Sequence, residues 1–263
     1  MAKKITIGVT DLSFHHTTAS LVANVLTDMG FEVEQVFSPH QENFKKLKSG
    51  EVDMLSSAWL PSSHGIYKAD VEEKVSLIEL GLHYEPYAHW GVPGYVPEDE
   101  VSEVADLVKP EVADKMISKI QGINSGAGIT RFSIKMMEEY GLSDAGYEFF
   151  TGTEDDCFNA FENAVANEEW VIVPLWKPQF LHYRYDIREI KEPKGLLGIV
   201  DRAVLLLRED KKDLFTDEQV RKLDSLRFSN DIIAELDYKV CREGQARGDV
   251  TRDWLKANGF ITK

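Results

Sequence analysis

Only two of the 263 residues are cysteine, Cys157 and Cys241. They lack Cys-x-x-Cys spacing, which excludes a thioredoxin-type dithiol and a zinc knuckle. Two separate buried thiols are expected, with a bridge between them left geometrically open. No apolar run approaches the roughly 18–20 residues that span a bilayer. Basic residues are scarce, 30 Lys plus Arg against 45 Asp plus Glu, for a formal charge of −15. Nucleic acid and anionic membranes demand a basic footprint, so neither is expected as a partner. Catalytic signatures are missing too. There is no Walker A sequence, no His-Glu-x-x-His and no Gly-x-Ser-x-Gly elbow, and Gly126-x-Gly128-x-x-Arg131 fails the dinucleotide fingerprint. The seven histidines, His15, His16, His40, His64, His83, His89 and His182, make no zinc spacing. Adjacent His15 and His16 would point apart on a strand. No cofactor and no metal are expected.

What is present is ordinary folded composition, 43% hydrophobic and 29% charged. Met1 to Val9 passes straight into a strand pattern with no signal-peptide apolar region. The chain is therefore either cytoplasmic or defined without its leader.

Ile5, Ile7 and Val9 alternate with polar or small residues, a period-2 strand. A helix over about Thr17–Met29 follows, with Gly30 as its stop. Phe31–Phe37 is a second strand, Gln41–Lys48 a helix and Val52–Ala58 a third strand. This order implies a parallel, right-handed βαβ sheet. A second cycle runs through Ile120–Ile123, the turn at Gly126–Gly128, the helix Ile129–Tyr140, Tyr147–Phe150, a helix opened by Thr153, and Val171–Leu175. Thr216 and Gln219 form a capping box, and helices follow over Ile232–Val240 and Val250–Ala257. The expectation is an α/β protein of two hinged lobes, with a mainly parallel sheet in each. Trp90–Val96 and Leu197–Leu207 are the candidate crossing strands. Lobe I takes 1–91 and 200–263, lobe II takes 92–199, and a ligand cleft is expected between them.

Open parallel sheets bind ligands beyond the carboxyl ends of their strands. Both cycles end a buried strand in Trp-x-Pro, followed within seven residues by histidine: Trp59-Leu60-Pro61 with His64, and Trp176-Lys177-Pro178 with His182. One indole is thus expected at the mouth of each lobe. Facing indoles suit a quaternary ammonium, which has no N–H to donate and is held by ring faces. Either tryptophan taken alone reads as core packing; the matched context favours a site. The turn Asn124–Ile129 before a helix offers backbone N–H groups as an anion seat, or is simply a tight glycine turn. His64 is either a donor to a carboxylate or a surface loop residue.

These residues resemble the substrate-binding proteins of glycine-betaine ABC transporters, the OpuAC type, over most of the chain. Ser57–His64 is similar to that family's Ala-Trp-Leu-Pro-x-Thr-His, and Gly122–Ile129 to its Gly-Ile-Asp-Pro-Gly-x-Gly-Ile turn. Trp176-Lys177-Pro178 with Tyr185-Asp186 and Glu192-Pro193-Lys194 resembles Trp-x-Pro-His-Trp…Tyr-Asp…Asp-Pro-Lys. Gly91–Tyr95 resembles the Val-Val-Pro-x-Tyr crossing segment. The resemblance implies a two-lobed, type II periplasmic-binding-protein-like fold, no enzymatic activity, and an extracytoplasmic, likewise periplasmic or membrane-tethered, monomer. Its partners would be a betaine-class zwitterion and a permease. Trp59 and Trp176 would wall the cation cage; His64 and the N–H groups of Gly128 and Ile129 would hold the carboxylate. The family's third cage tryptophan falls at Leu12 here, leaving Phe14, His15, Tyr87 or Trp90 to complete the cage. Gln179 and Phe180 replace the family's His-Trp. A bulkier zwitterion such as carnitine suits the space a lost indole leaves. The competing readings are a cytoplasmic ligand sensor on the same lobes and a metal-dependent enzyme.

Overall fold

The computed structural model describes residues 3–262. The chain divides into two compact units. The first comprises Met1–Pro86, Pro178–Tyr183 and Asp201–Lys263; the second comprises Tyr87–Lys177 and Arg184–Val200.

The first unit opens with β1 (Lys3–Thr10), α1 (Ser13–Asp28), β2 (Phe31–Ser38), α2 (His40–Ser49), β3 (Met54–Leu60), α3 (Gly65–Glu72) and β4 (Leu77–Tyr84). Ile5, Ile7 and Val9 are buried, as their alternation requires, and Leu21, Val22, Val25 and Leu26 bury one face of α1. Gly30 follows α1 at φ +92°, a backbone that glycine adopts without the Cβ penalty. β1 pairs in parallel with β2 from Lys3↔Phe31 to Thr10↔Ser38, and in parallel with β3. Every residue of β3 is buried, the mark of a strand covered on both faces.

The second unit contains β5 (Tyr87–Pro93), α4 (Pro110–Ala113), β6 (Lys119–Gln121), α5 (Gly128–Glu139), β7 (Glu148–Phe150), α6 (Glu154–Ala166) and β8 (Val173–Lys177). The short helix α7 (Leu181–Arg184) then ends where the chain re-enters this unit, and β9 (Ile187–Ile190) follows. Thr153 caps α6: its hydroxyl accepts from the Asp156 N–H at 3.1 Å, and the Asp156 carboxylate accepts from the Thr153 N–H at 2.8 Å.

The chain returns to the first unit with β10 (Arg202–Arg208), α8 (Asp217–Asp224), α9 (Asn230–Cys241) and α10 (Arg247–Ala257). The five-stranded order there is β2-β1-β3-β10-β4, with β10 antiparallel to both neighbours. The Thr216–Gln219 capping box forms at α8.

Three expectations change. Residues 87–91, assigned by sequence to the first lobe, pair within the second unit as part of β5. The sheet of the second unit, β8-β5-β9, is antiparallel throughout; only the two-stranded β6-β7 is parallel. Alternation tells which face a residue takes and says nothing about the direction of the neighbouring strand. Of the expected crossing strands, the first is β5, while 197–201 lie outside any strand and pairing begins only at Arg202. Among the described residues no helix is long and apolar enough to cross a membrane.

Candidate functional site

In the first unit the site grows from the end of β3. Ser57 sits at φ +61°, a left-handed backbone rare for a residue with a Cβ. The β3–β10 register slips beside it, between Val204 and Leu206. Such irregularities re-aim side chains and persist only where surrounding structure holds them, at roughly 1–3 kcal/mol. What holds this one is the Tyr84 hydroxyl, which is hydrogen-bonded to the Ser57 hydroxyl and accepts from the Trp59 indole N–H at 3.2 Å. The edge of Trp59 is thus pinned.

Around Trp59 lie the rings of Phe14 and His15. Centroids are 5.2 Å apart for Phe14–Trp59, 5.5 Å for His15–Trp59 and 4.3 Å for Phe14–His15. His15 and His16 belong to the first turn of α1, not to a strand, and the helix turns them to different surroundings. His16 meets Asp11 at 2.9 Å, while His15 is buried among rings. Burial pushes the His15 pKa well below its ordinary value, with neighbouring His64 and His40 adding to the effect. At neutral pH it is an uncharged imidazole, which keeps positive charge off the cluster. The α1 turn that presents these rings has no side-chain cap of its own at Leu12. It is held instead by Asp237 of α9, whose buried carboxyl accepts from the Ser13 and Thr17 hydroxyls, each at 2.8 Å. Burial raises the pKa of that carboxyl. Leu12 itself is buried.

His64 is not a surface residue: it is only 1% exposed. Its Nδ1 accepts from the Trp59 backbone N–H at 2.9 Å, so its proton lies on Nε2, which pairs with His40 Nδ1 at 2.9 Å. Its own N–H donates to the Trp59 carbonyl at 2.8 Å. The Asp201 carboxylate accepts from Ser62 N–H at 2.6 Å and Ser63 N–H at 2.9 Å, closing the loop. Both ring nitrogens of His64 are therefore committed within the unit. The geometry makes it the group that positions Trp59, a different task from the carboxylate donor the resemblance implies.

In the second unit, Trp90 pairs across from Pro174 and Ala88 from Trp176, so the two indoles share a face of the β5–β8 ladder as diagonal neighbours. The Trp90 indole N–H donates to the Ser133 hydroxyl of α5 at 2.8 Å, which makes Trp90 a brace between sheet and helix. Trp176 lies tilted against Phe158, with centroids 6.0 Å apart. Tyr87 and His89 project to the opposite face. Tyr87 donates to Glu189 at 2.8 Å, and Lys177 pairs with the same carboxylate at 2.9 Å. Of the four residues considered for a third wall, Phe14 and His15 thus join Trp59, while Trp90 shares the face of Trp176 and Tyr87 does not.

The glycine turn leads into α5. Arg131 donates to the Gly126 carbonyl at 2.6 Å and the Thr130 hydroxyl to the Ile123 carbonyl at 3.2 Å, which fix its shape. Ala127 is the N-cap and supplies no side-chain acceptor. The first helical N–H groups, Gly128 and Ile129, are therefore uncapped donors at the positive end of a 12-residue helix, a suitable seat for a carboxylate.

Neither cysteine is in a disulfide, and each thiol has an acceptor. Cys157 contacts the Pro174 carbonyl at 3.5 Å, and half-buried Cys241 contacts Asp237 at 3.7 Å. Burial pushes the Cys157 thiol up, so it stays protonated. Among the described residues no group of three or more His, Cys, Asp or Glu could hold a metal ion.

Sequence reasoning missed Ser57, Tyr84, Asp201 and Asp237. Only Ser57 carried a signal, its place in the motif ending in Trp59; the others act from distant parts of the chain.

Comparison with known proteins identifies the family. Residues 3–257 match the family model described as the substrate binding domain of ABC-type glycine betaine transport systems. A crystal structure of the glycine/betaine/L-proline-binding protein ProX from Borrelia burgdorferi is 26% identical, with a TM-score of 0.84 over 97% of this chain and 94% of that one. Lactococcal OpuAC, closed on glycine betaine, is 20% identical, with a TM-score of 0.84 over 98% of this chain and 96% of that one. The glycine betaine/carnitine transport binding protein GbuC of Listeria monocytogenes is 22% identical over 151 residues, which are 57% of this chain and 49% of that protein. The chain thus spans about half the length of that curated relative. Its fold is the two-lobed, type II binding-protein fold of these structures. The chain belongs to the substrate-binding domains of ABC-type glycine betaine transport systems.

Proposed function

We propose that this protein captures a betaine-type quaternary ammonium zwitterion outside the cytoplasmic membrane, as a monomer, and delivers it to an ABC-transporter permease. Each unit contributes half of the recognition. Trp59, with Phe14 and the neutral ring of His15, supplies aromatic faces to the onium group, and Trp176 supplies the second indole. The N–H groups of Gly128 and Ile129 take the carboxylate.

The observation that carries this reading is the ring cluster in which Tyr84 pins the Trp59 indole, His64 holds its backbone and an uncharged imidazole flanks it. Ring faces contribute about 0.5–2 kcal/mol each to a desolvated cation. Calorimetry with glycine betaine, choline, carnitine and proline betaine tests it. Binding of at least one of these compounds, weakened strongly in both Trp59→Ala and Trp176→Ala, is the expected result. Unchanged affinity in both variants removes the cage.

A further inference from the structure

We infer that the His40–His64 pair is a proton-sensitive latch on Trp59: a proton added to the pair breaks the hydrogen-bond chain that holds the Trp59 backbone and weakens the grip on an onium ligand. This rests on the zwitterion-capture reading and extends it to a regulation of the Trp59 site. Every group involved lies within the first unit.

The chain of bonds runs from the end of β3, through the loop before α3, to the first residue of α2. The Trp59 N–H donates to His64 Nδ1 at 2.9 Å, and His64 Nε2 meets His40 Nδ1 at 2.9 Å. A backbone N–H only donates, so the His64 proton sits on Nε2. His40 Nδ1 must then accept, and the His40 proton sits on its own Nε2. One amide thus dictates the tautomer of both rings. A further proton meets a conflict wherever it goes. On His64 Nδ1 it faces the Trp59 N–H, donor against donor. On His40 Nδ1 it faces the His64 Nε2–H. Shifting the His64 proton round to Nδ1 only moves the conflict to the Trp59 amide. Each placement breaks one of the two bonds.

The surroundings give that charge no relief. Both rings are buried. Facing them are His15 of α1, 6.1 Å from His64 and 6.3 Å from His40, with Phe44 of α2 at 5.4 Å and Tyr67 of α3 at 6.4 Å from His64. The acidic groups of the neighbourhood are engaged elsewhere. Asp11 meets His16, Asp201 takes the Ser62 and Ser63 N–H groups, and Asp237 takes the Ser13 and Thr17 hydroxyls. The Tyr84 hydroxyl is committed to Ser57 and the Trp59 indole. Burial and the two facing imidazoles hold the His15 pKa well below its ordinary value, so an incoming proton does not rest there. A charged His64 ring also stands only 6.4 Å from the Trp59 ring, where it repels a bound cation. Loss of the latch and charge repulsion act in the same direction.

The test is calorimetry of the full chain with glycine betaine, choline, carnitine and proline betaine, from about pH 8 to about pH 5, with circular dichroism followed at each pH. None of the four probes changes its own charge over that range. Affinity should be full at about pH 8 and fall about threefold or more by about pH 5, with the dichroism unchanged. In buffers of different ionisation enthalpy, binding should release protons at the acid end and none at about pH 8. His64→Asn keeps an acceptor at the δ position for the Trp59 N–H and takes up no proton, so its affinity should not change with pH. Constant wild-type affinity over the range overturns the inference. So does binding that releases no proton at the acid end, or a loss of affinity that only tracks a loss of dichroism. A folded His64→Asn variant with the wild-type pH dependence overturns it as well; if that variant does not fold, proton release by the wild-type protein decides alone. A probe that binds at about pH 8 in any of these cases leaves the capture reading standing. If none of the four binds, both fall.

Discussion

The two units hold their candidate binding groups in place by different means. In the first, side chains do the work: a strained strand end, a helix turn and a loop converge on Trp59, and each is secured by a residue far away in the chain. Tyr84, Asp201 and Asp237 are separated from the groups they hold by 27, 138 and 224 positions. In the second, the backbone does much of it: a helix with no side-chain cap leaves its first N–H groups without a side-chain acceptor, and the antiparallel β5–β8 ladder sets Trp176 beside Trp90. A diffuse cation needs broad faces held at fixed angles, which only many tertiary contacts can supply. A carboxylate needs only donors pointing one way, which a helix start supplies locally. The first unit is therefore the half more sensitive to distant substitutions.

Loss of a ring should have the largest effect in either unit. Trp59→Ala removes a face with its flanking support intact and is expected to weaken onium binding by about 100-fold or more, within the range of a desolvated aromatic anchor. Trp176→Ala should cost comparably, and a protein in which only one of the two variants loses affinity breaks the picture of paired indoles. Calorimetry reads both.

Acid comes next. Burial holds the His83 ring at about 3 and the His89 ring at about 4, and it holds His15 well below its ordinary value. In the unfolded chain all three titrate near about 6.5. The unfolded state then takes up protons that the folded state refuses, so stability is complete above about pH 6.5 and falls as pH drops toward 4 and then 3. Asp237, with its raised pKa, works in the opposite sense, since its protonation relieves a buried charge. Two of the three histidines belong to the first unit, so hydrogen exchange on acidification should show that unit loosening first. Equal loosening of both units would mean that these rings do not set acid stability.

The His40–His64 pair tests positioning. His40→Leu leaves the buried His64 Nε2–H without its acceptor and should cost about 1–3 kcal/mol, read by denaturant unfolding. Binding should weaken for every onium ligand alike, because His64 acts through Trp59. Selective loss of carboxylate ligands would instead return His64 to the role of anion donor.

A smaller change addresses the second unit. Gly128→Pro removes one N–H at the first helical position, where proline is well tolerated, and the preceding Ala127 already has the extended backbone that proline requires, φ −71° and ψ 144°. Glycine betaine should bind about tenfold more weakly, as for one charge-assisted hydrogen bond, while choline, which has no carboxylate, should be nearly unaffected. The smallest effect is expected from Glu189→Gln in β9, on the sheet face away from the indoles. It removes a half-exposed ion pair with Lys177, worth less than about 1 kcal/mol, and affinity should hardly move.

Much of this protein could be read before any tertiary contact was known. Strand alternation at Ile5, Ile7 and Val9, the glycine stop at Gly30, the helix start at Thr153, the capping box at Thr216 and the bare turn before Ile129 are local matters of sterics and hydrogen bonding. So is the placing of Trp59 and Trp176 in their Trp-x-Pro contexts. The sequence alone thus determined most element positions, their α/β order and the two indoles.

Strand direction in the second unit, the commitment of both His64 nitrogens and the neutrality of His15 were decided only by the tertiary structure. Each depends on what a side chain or strand meets from elsewhere in the chain. Burial and partner choice are properties of the assembled fold, and no periodicity or spacing along a strand or helix records them.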